Sequence, residues 1–204
     1  MIAIIDYKMG NLKSVYKAFE KCGAKVIITN DAKTIKESSK IVLPGVGAFG
    51  DGITNLQNLG LVDILTQEVI ENKKYFLGIC LGMQLVATKG TENGNFDGLN
   101  WIDGEVIKFD FSKENKNLKT PHVGWNNVSY TKNDLLFDGI DDCSDFYFVH
   151  SYHFCVNEDV VLSTTDYGMD FVSSIKKENI YACQFHPEKS QQVGLQLISN
   201  FIKL

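Results

Sequence analysis

Four short apolar runs, Ile2–Ile5, Val26–Ile28, Lys40–Leu43 and Tyr75–Ile79, alternate with stretches whose apolar residues recur at helical spacing. A strand with no polar face has to be covered on both sides, and helices that cross over between parallel strands provide that cover. Leu12, Val15, Tyr16, Phe19 and Cys22 share one helical face, and Gly23 follows where a C-terminal cap belongs. A second helical stretch follows Pro44-Gly45 and runs to about Leu56, and a third places Leu61, Ile64, Leu65 and Val69 on one side. The expected fold class is α/β, a mostly parallel central sheet flanked by helices.

The second half has a different texture. Phe96–Phe111 is punctuated by glycine and alternates weakly through Ile102, Gly104, Val106 and Lys108. Phe146–Val156 is rich in aromatics of strong strand propensity, and Val160–Thr165, Phe171–Lys176 and Ile180–Phe185 read as an antiparallel meander. Val193, Leu197, Ile198 and Phe201 mark a closing helix. The polar segment Ser112–Thr120 reads as a surface loop without chemistry. No repeat, low-complexity tract or linker divides the 204 residues, so one domain over 1–204 is expected.

Net charge is −5, which disfavours nucleic acid and anionic membrane surfaces as partners. Met1–Ile5 stops at Asp6, too short for a signal core or for a span of about 20 residues. A cytoplasmic protein is expected. The five cysteines, at 22, 80, 143, 155 and 183, show no metal-type spacing. Cys155 and Cys183 read as buried apolar fillers. No metal or cofactor is expected.

Cys80 stands apart. In Gly78-Ile79-Cys80-Leu81-Gly82 an apolar strand runs into the cysteine, and a helical stretch from Met83 to Ala87 is expected to run out. Glycines two before and two after relieve a tight strand-to-helix bend and leave the central side chain at its apex, the logic of a nucleophile elbow. Unpaired N–H groups at a helix start also favour a thiolate. Far downstream, His186-Pro187-Glu188 leaves the strand Ile180–Phe185. Side chains two apart in an extended segment point the same way, so Glu188 can orient one imidazole nitrogen while the other faces a thiol. Pro44-Gly45-Val46-Gly47-Ala48-Phe49-Gly50 ends another apolar strand, and in a parallel sheet such loops gather at one edge. Backbone N–H groups near Val46, Gly47 and Leu81 are candidate oxyanion donors. The competing reading of this loop as a phosphate cradle lacks the lysine of a P-loop and the continuation of a dinucleotide fingerprint.

Taken together, Ile5-Asp6-Tyr7 with Met9–Leu12, Leu43–Phe49, Gly78–Leu85, Pro121 with Val123–Asn126, Tyr147–Tyr152, Tyr167-Gly168 and Gln184–Ser190 resemble the class I glutamine amidotransferases. Within them, the similarity is to the glutaminase subunits of imidazole glycerol phosphate synthase. The resemblance implies a flavodoxin-like class I glutaminase fold, with Cys80 as nucleophile, His186 as base and Glu188 as its orienter. It implies that Gly45, Gln84, Glu92, Ser151 and Tyr152 hold L-glutamine, and that Asn11, Trp125, Asn126 and Lys189 face a partner. That partner would be a (β/α)₈-barrel cyclase subunit, which uses the ammonia to form imidazole glycerol phosphate and an aminoimidazole carboxamide nucleotide in histidine synthesis. His122 and His153 are expected to pack or hydrogen-bond, and His150 to support the interface or the site. One departure stands out: the usual Asp-Tyr-Gly is Asp6-Tyr7-Lys8, which should matter little if the backbone there keeps negative φ. It leaves open an alternative acceptor, a surface-polysaccharide sugar, served by the same glutaminase machinery.

Overall fold

The computed structural model describes residues 1–112 and 118–204. Its main sheet has nine strands. Five are parallel: β1 (Ile2–Ile5), β2 (Val26–Thr29), β3 (Lys40–Gly45), β4 (Tyr75–Cys80) and β13 (Ile180–Cys183), in the order β2-β1-β3-β4-β13. Counted in sequence among themselves, these run 2-1-3-4-5, the flavodoxin-like order. Every residue of β1 and β13 is buried, as expected of strands covered on both faces. The remaining four strands are antiparallel: β12 (Asp170–Lys177), β11 (Val161–Asp166), β8 (His122–Tyr130) and β9 (Ser144–His150). The meander read from the sequence is thus β11-β12-β13.

Helices α1 (Leu12–Lys21), α2 (Ala32–Glu37), α3 (Phe49–Asn58), α4 (Leu61–Thr66) and α6 (Gln191–Lys203) cover the sheet. One core packs Ile5, Leu43, Phe49, Leu56, Leu65 and Phe76, and the other packs Ile4, Phe19, Leu77, Phe146, Phe185 and Phe201. Leu61, Ile64, Leu65 and Val69 are all buried, although the last lies in a π-type turn, Gln67–Glu71, rather than in α4.

Two expectations are corrected. The helix after Cys80, α5 (Leu81–Gln84), makes a single turn and does not continue to Ala87. Leu85 and Val86 instead offer their carbonyls to the N–H groups of Leu99 and Trp101, and Ala87 opens strand β5 (Ala87–Gly90). That strand joins β6 (Phe96–Asp97), β7 (Ile102–Lys108) and β10 (Tyr152–Val156) in a second sheet, ordered β10-β7-β5-β6. Accordingly the aromatic run Phe146–Val156 is two strands in two sheets, broken at Ser151. Cys183 is buried, whereas Cys155 is only half-buried, its Sγ 3.8 Å from His153 Nδ1. The loop read over Ser112–Thr120 lies largely outside the described residues. Among the described residues, no helix is long and apolar enough to cross a membrane.

Candidate functional site

Strand β4 ends at Cys80, whose backbone is left-handed at φ 53° and ψ −107°. For a residue with a side chain this costs roughly 1–3 kcal/mol and persists only where the surroundings enforce it. The two flanking glycines make the bend possible. A Cβ on Gly82 would collide with the Leu43 carbonyl, and one on Gly78 would lie 2.7 Å from the Gly82 carbonyl oxygen. Backbone therefore touches backbone at both positions, and the thiol is carried on the apex.

Sheet register explains why three distant segments meet there. Gly45 is the Cα partner of Cys80 across β3 and β4, and Cys183 is the partner of Ile79 across β13 and β4. The carboxyl ends of three neighbouring parallel strands thus carry the Gly45–Gly47 loop, the Cys80 bend and the His186 turn. The backbone of His186 is extended, and its N–H donates to the Tyr147 carbonyl at 2.8 Å. Pro187–Lys189 then form one 3₁₀ turn, so the turn, not strand alternation, brings Glu188 back to the ring. The contact between His186 Nδ1 and Glu188 Oε1 is 2.8 Å.

Burial of the His186 ring pushes its pKa down, but the adjacent Cys80 sulfur and the Glu188 carboxylate more than reverse this, raising it to about 10. An imidazolium is therefore favoured whenever the sulfur is negative. Among the described residues His186 Nε2 makes no hydrogen bond of standard geometry, and the Cys80 sulfur is the largest influence raising the pKa of the ring. Cys80 Sγ lies 3.6 Å from Gln184 Nε2.

In front of the thiol is a cleft of about 500 Å³. Val46, Gly47 and Leu81 line it with Cys80, as do Gln84, Glu92, Ser151, Tyr152 and Lys189. Gly45 does not; it is buried, and a Cβ there would strike the Tyr7 hydroxyl. Burial raises the pKa of Glu92, which accepts from the Phe49 N–H at the start of α3 at 3.0 Å. Asn11, Trp125 and Asn126 are not at the cleft wall. Asn11 caps α1 by accepting from the Ser14 N–H, and Trp125 is 47% exposed with its ring 6.0 Å from that of Tyr147. Lys189 bridges the two regions, its Nζ 5.6 Å from the Tyr147 ring.

Two residues beside the site lie in the family stretches, yet the sequence alone assigns them no role. Tyr7 is fully buried under the Gly45 loop, its hydroxyl without a hydrogen-bond partner among the described residues, and burial together with Cys80 raises its pKa. Gln184 is fully buried next to the sulfur. A glutamine inside the apolar run Ile180–Phe185, at the start of the family stretch Gln184–Ser190, is the sequence signal for the latter. Lys8 contradicts the condition attached to it, since its φ is +66°.

A five-stranded parallel core with a cysteine bend beside a buried His–Glu pair is the arrangement of a cysteine-dependent enzyme of the α/β type. A sequence model of the family "Glutamine amidotransferase class-I" matches residues 3–204, and the chain belongs to that family. It is 50% identical over 204 residues to "Imidazole glycerol phosphate synthase subunit HisH 1" of Campylobacter jejuni strain RM1221, covering the whole of both chains. To "Imidazole glycerol phosphate synthase subunit HisH 2" of Methanococcus maripaludis it is 47% identical, over 100% of this chain and 99% of the relative. Among solved structures, PurLQS from Thermotoga maritima has a TM-score of 0.72 at 16% identity, over 99% of this chain and 97% of that one, a likeness of fold.

Proposed function

We infer that this protein is the glutaminase subunit of an imidazole glycerol phosphate synthase. It hydrolyses L-glutamine and passes the ammonia to a (β/α)₈-barrel cyclase subunit. The observation that carries the chemistry is the meeting of Cys80 with the His186–Glu188 pair at the ends of β4 and β13.

The Cys80 thiolate attacks the side-chain carboxamide carbon of glutamine. Backbone N–H groups of Val46 or Gly47 and of Leu81 hold the resulting oxyanion, an interaction worth about 3 kcal/mol per donor. The His186 imidazolium protonates the departing nitrogen, ammonia leaves and a γ-glutamyl thioester remains. His186, now neutral, takes a proton from water, the hydroxide adds to the thioester, and glutamate departs as the thiolate re-forms. Glu188 holds the ring and stabilises its charge. Gln84 spends both amide hydrogens, on the Tyr152 carbonyl and on Gln184 Oε1, so toward the cleft it offers only an oxygen. That oxygen suits an N–H of the substrate, and Glu92 suits its α-ammonium group.

The surface-sugar acceptor rests on Lys8 alone. Lys8 is exposed and does not line the cleft, while relatives matching the whole chain are named for imidazole glycerol phosphate synthase. The deciding experiment combines the protein with a barrel cyclase and the phosphoribulosyl-formimino nucleotide, and measures glutamate and imidazole glycerol phosphate. Wild type should make both and Cys80→Ala neither from glutamine, while the variant complex should still turn over with added ammonia. Full glutamine turnover by Cys80→Ala would overturn the assignment.

A further inference from the structure

We propose that half-buried Asn126 and the buried His122 and His150 form a one-directional hydrogen-bond relay that helps set the Tyr152 carbonyl against Gln84, making His150 a positioning residue for glutamine. The proposal rests on the glutaminase reading of the cleft and adds a component to it.

Direction follows from what each atom can do. A carbonyl only accepts, so His150 Nδ1, 2.8 Å from the Tyr152 oxygen, must carry a hydrogen. His150 is buried, and desolvation pushes its pKa down to about 3, so the ring is neutral and its Nε2 is a bare acceptor. His122 Nδ1 lies 3.0 Å from that Nε2 and must therefore donate. Burial likewise holds His122 at about 4, so its own Nε2 accepts, and Asn126 Nδ2 stands 3.3 Å away to donate. The Asn126 orientation is fixed independently: its Nδ2 donates to the Asp166 carbonyl at 2.9 Å and its Oδ1 accepts from the Asn127 N–H at 2.9 Å. Both rings are thus held as the Nδ1–H tautomer.

The far end of the chain reaches the nucleophile. The Tyr152 carbonyl accepts from His150 and also from Gln84 Nε2, at 3.1 Å. Gln84 Nε2 also donates to Gln184 Oε1 at 3.0 Å, and Gln184 Nε2 lies 3.6 Å from Cys80 Sγ. His150 itself borders the cleft with Ser151 and Tyr152. Those two residues sit where the chain passes from β9 in one sheet to β10 in the other: the Phe109 N–H holds the Ser151 carbonyl at 3.1 Å and Tyr152 pairs with Lys108, while His150 holds the Tyr152 carbonyl from the other side. The His150 bond restrains that crossing. Aromatic rings pack on the two imidazoles: His122 stacks on Tyr167 with centroids 4.0 Å apart, and the Phe171 ring lies 5.0 Å from that of His150. The titratable groups facing His150 are His122, His153 and His186, and none is a carboxylate.

The test has two arms. Long-range ¹H–¹⁵N correlation on the wild-type protein should show His122 and His150 as neutral Nδ1–H rings that do not titrate between about pH 5 and 8. An Nε2–H ring at His150, or a titration in that window, would overturn the relay whether or not the protein is a glutaminase. In the complex with its cyclase partner, His150→Leu should raise KM for glutamine about tenfold, the worth of one lost hydrogen bond, with a smaller change in kcat. His150→Asn, whose amide N–H takes the place of Nδ1–H, should return KM to within about twofold of wild type, a rescue that repacking alone would not produce. Alkylation of Cys80 by iodoacetamide at the wild-type rate would certify an intact bend in each variant. An unchanged KM in His150→Leu would overturn the positioning role. Absence of glutamine turnover in wild type would instead count against the glutaminase reading, leaving the tautomer result standing.

Discussion

His186 Nδ1 lies 2.8 Å from Glu188 Oε1, and each of the two side chains is only 3% exposed. An imidazole so enclosed would ordinarily lose its proton, yet this one is held at about 10 by the Cys80 sulfur and by Glu188. The ring and the carboxylate form a pair only because the 3₁₀ turn at Pro187 folds Glu188 back.

Replacing Glu188 with Gln keeps the shape and removes the charge. The amide can accept from or donate to Nδ1, so the tautomer is no longer imposed and the imidazolium loses its counter-charge. Glutaminase kcat in the Glu188→Gln complex should fall by about 100-fold or more, with KM for glutamine changed by less than about threefold. Steady-state kinetics with saturating partner checks it, and a kcat within about twofold of wild type would remove Glu188 from the mechanism.

The raised pKa of His186 also has a stability consequence of definite sign. A folded value of about 10, above an unfolded value near 6.5, means that the folded state holds the proton more tightly. The stabilisation from this group is complete below about pH 6.5 and disappears as pH rises through about 10. Cys80→Ala removes the largest raising influence, so wild type should lose more stability than the variant between about pH 7 and 10. Urea unfolding of both proteins across that range measures the difference, and parallel curves would contradict it.

Much of this site was legible because it is written in local chemistry. Glycines at 78 and 82 announce the bend at Cys80, and a proline between His186 and Glu188 announces the strand end. Parallel β3, β4 and β13 could be anticipated from their apolar runs, and their register then brings the three loops together. What stayed hidden depends on tertiary pairing. The helix after Cys80 stops at Gln84 because Leu99 and Trp101 capture the Leu85 and Val86 carbonyls, an event with no signature near residue 85. Likewise Gln184 and Tyr7 fall in family stretches that assign them no role, and only the approach of β13 and β1 to the bend gives them one.

Gly82 tolerates no side chain. The atom that a Cβ would meet is the Leu43 backbone carbonyl on the neighbouring strand, which cannot swing away as a flexible side chain would. Gly82→Ala should therefore cost more than the roughly 1–3 kcal/mol of ordinary overpacking, and abolish glutamate release along with it. At Gly23 a Cβ meets nothing within 4 Å, so the expected cost of Gly23→Ala is that of its positive φ, about 1 kcal/mol. Thermal melts of the two variants would separate these effects, and similar losses in both would show that the elbow can yield.

Lys8 should yield a gain. It is exposed, its φ is +66°, and its N–H donates to Asp6 Oδ1 at 3.1 Å, so the side chain contributes little while the backbone is strained. Left-handed geometry costs a non-glycine residue roughly 1–2 kcal/mol, partly offset by the greater unfolded-state freedom of glycine. Lys8→Gly is expected to raise Tm by about 2–4 °C for a net gain of about 1 kcal/mol in a chain of this size. A lower Tm would mean that Lys8 makes a compensating contact.

The oxyanion segment should be set by the partner. Val46 is 41% exposed, Gly47 stands at φ +128°, and a Cβ placed on the neighbouring Gly10 would lie 3.2 Å from the Val46 nitrogen. Glycines on either side let the Val46 peptide units rotate at little cost, so the loop can rest with its N–H groups aimed away from the cleft. One missing oxyanion donor is worth about 10²–10³ in rate, and an unset loop would prevent glutamine from being wasted when no acceptor is bound. Glutamate release by the isolated protein should therefore be at least about 100-fold slower than in the complex with cyclase and acceptor ligand. Gly47→Ala, which forces an L side chain into φ +128°, should blunt that stimulation while Cys80 alkylation by iodoacetamide stays at the wild-type rate. If turnover is the same with and without the partner, the donors are already in place and the segment is not the gate.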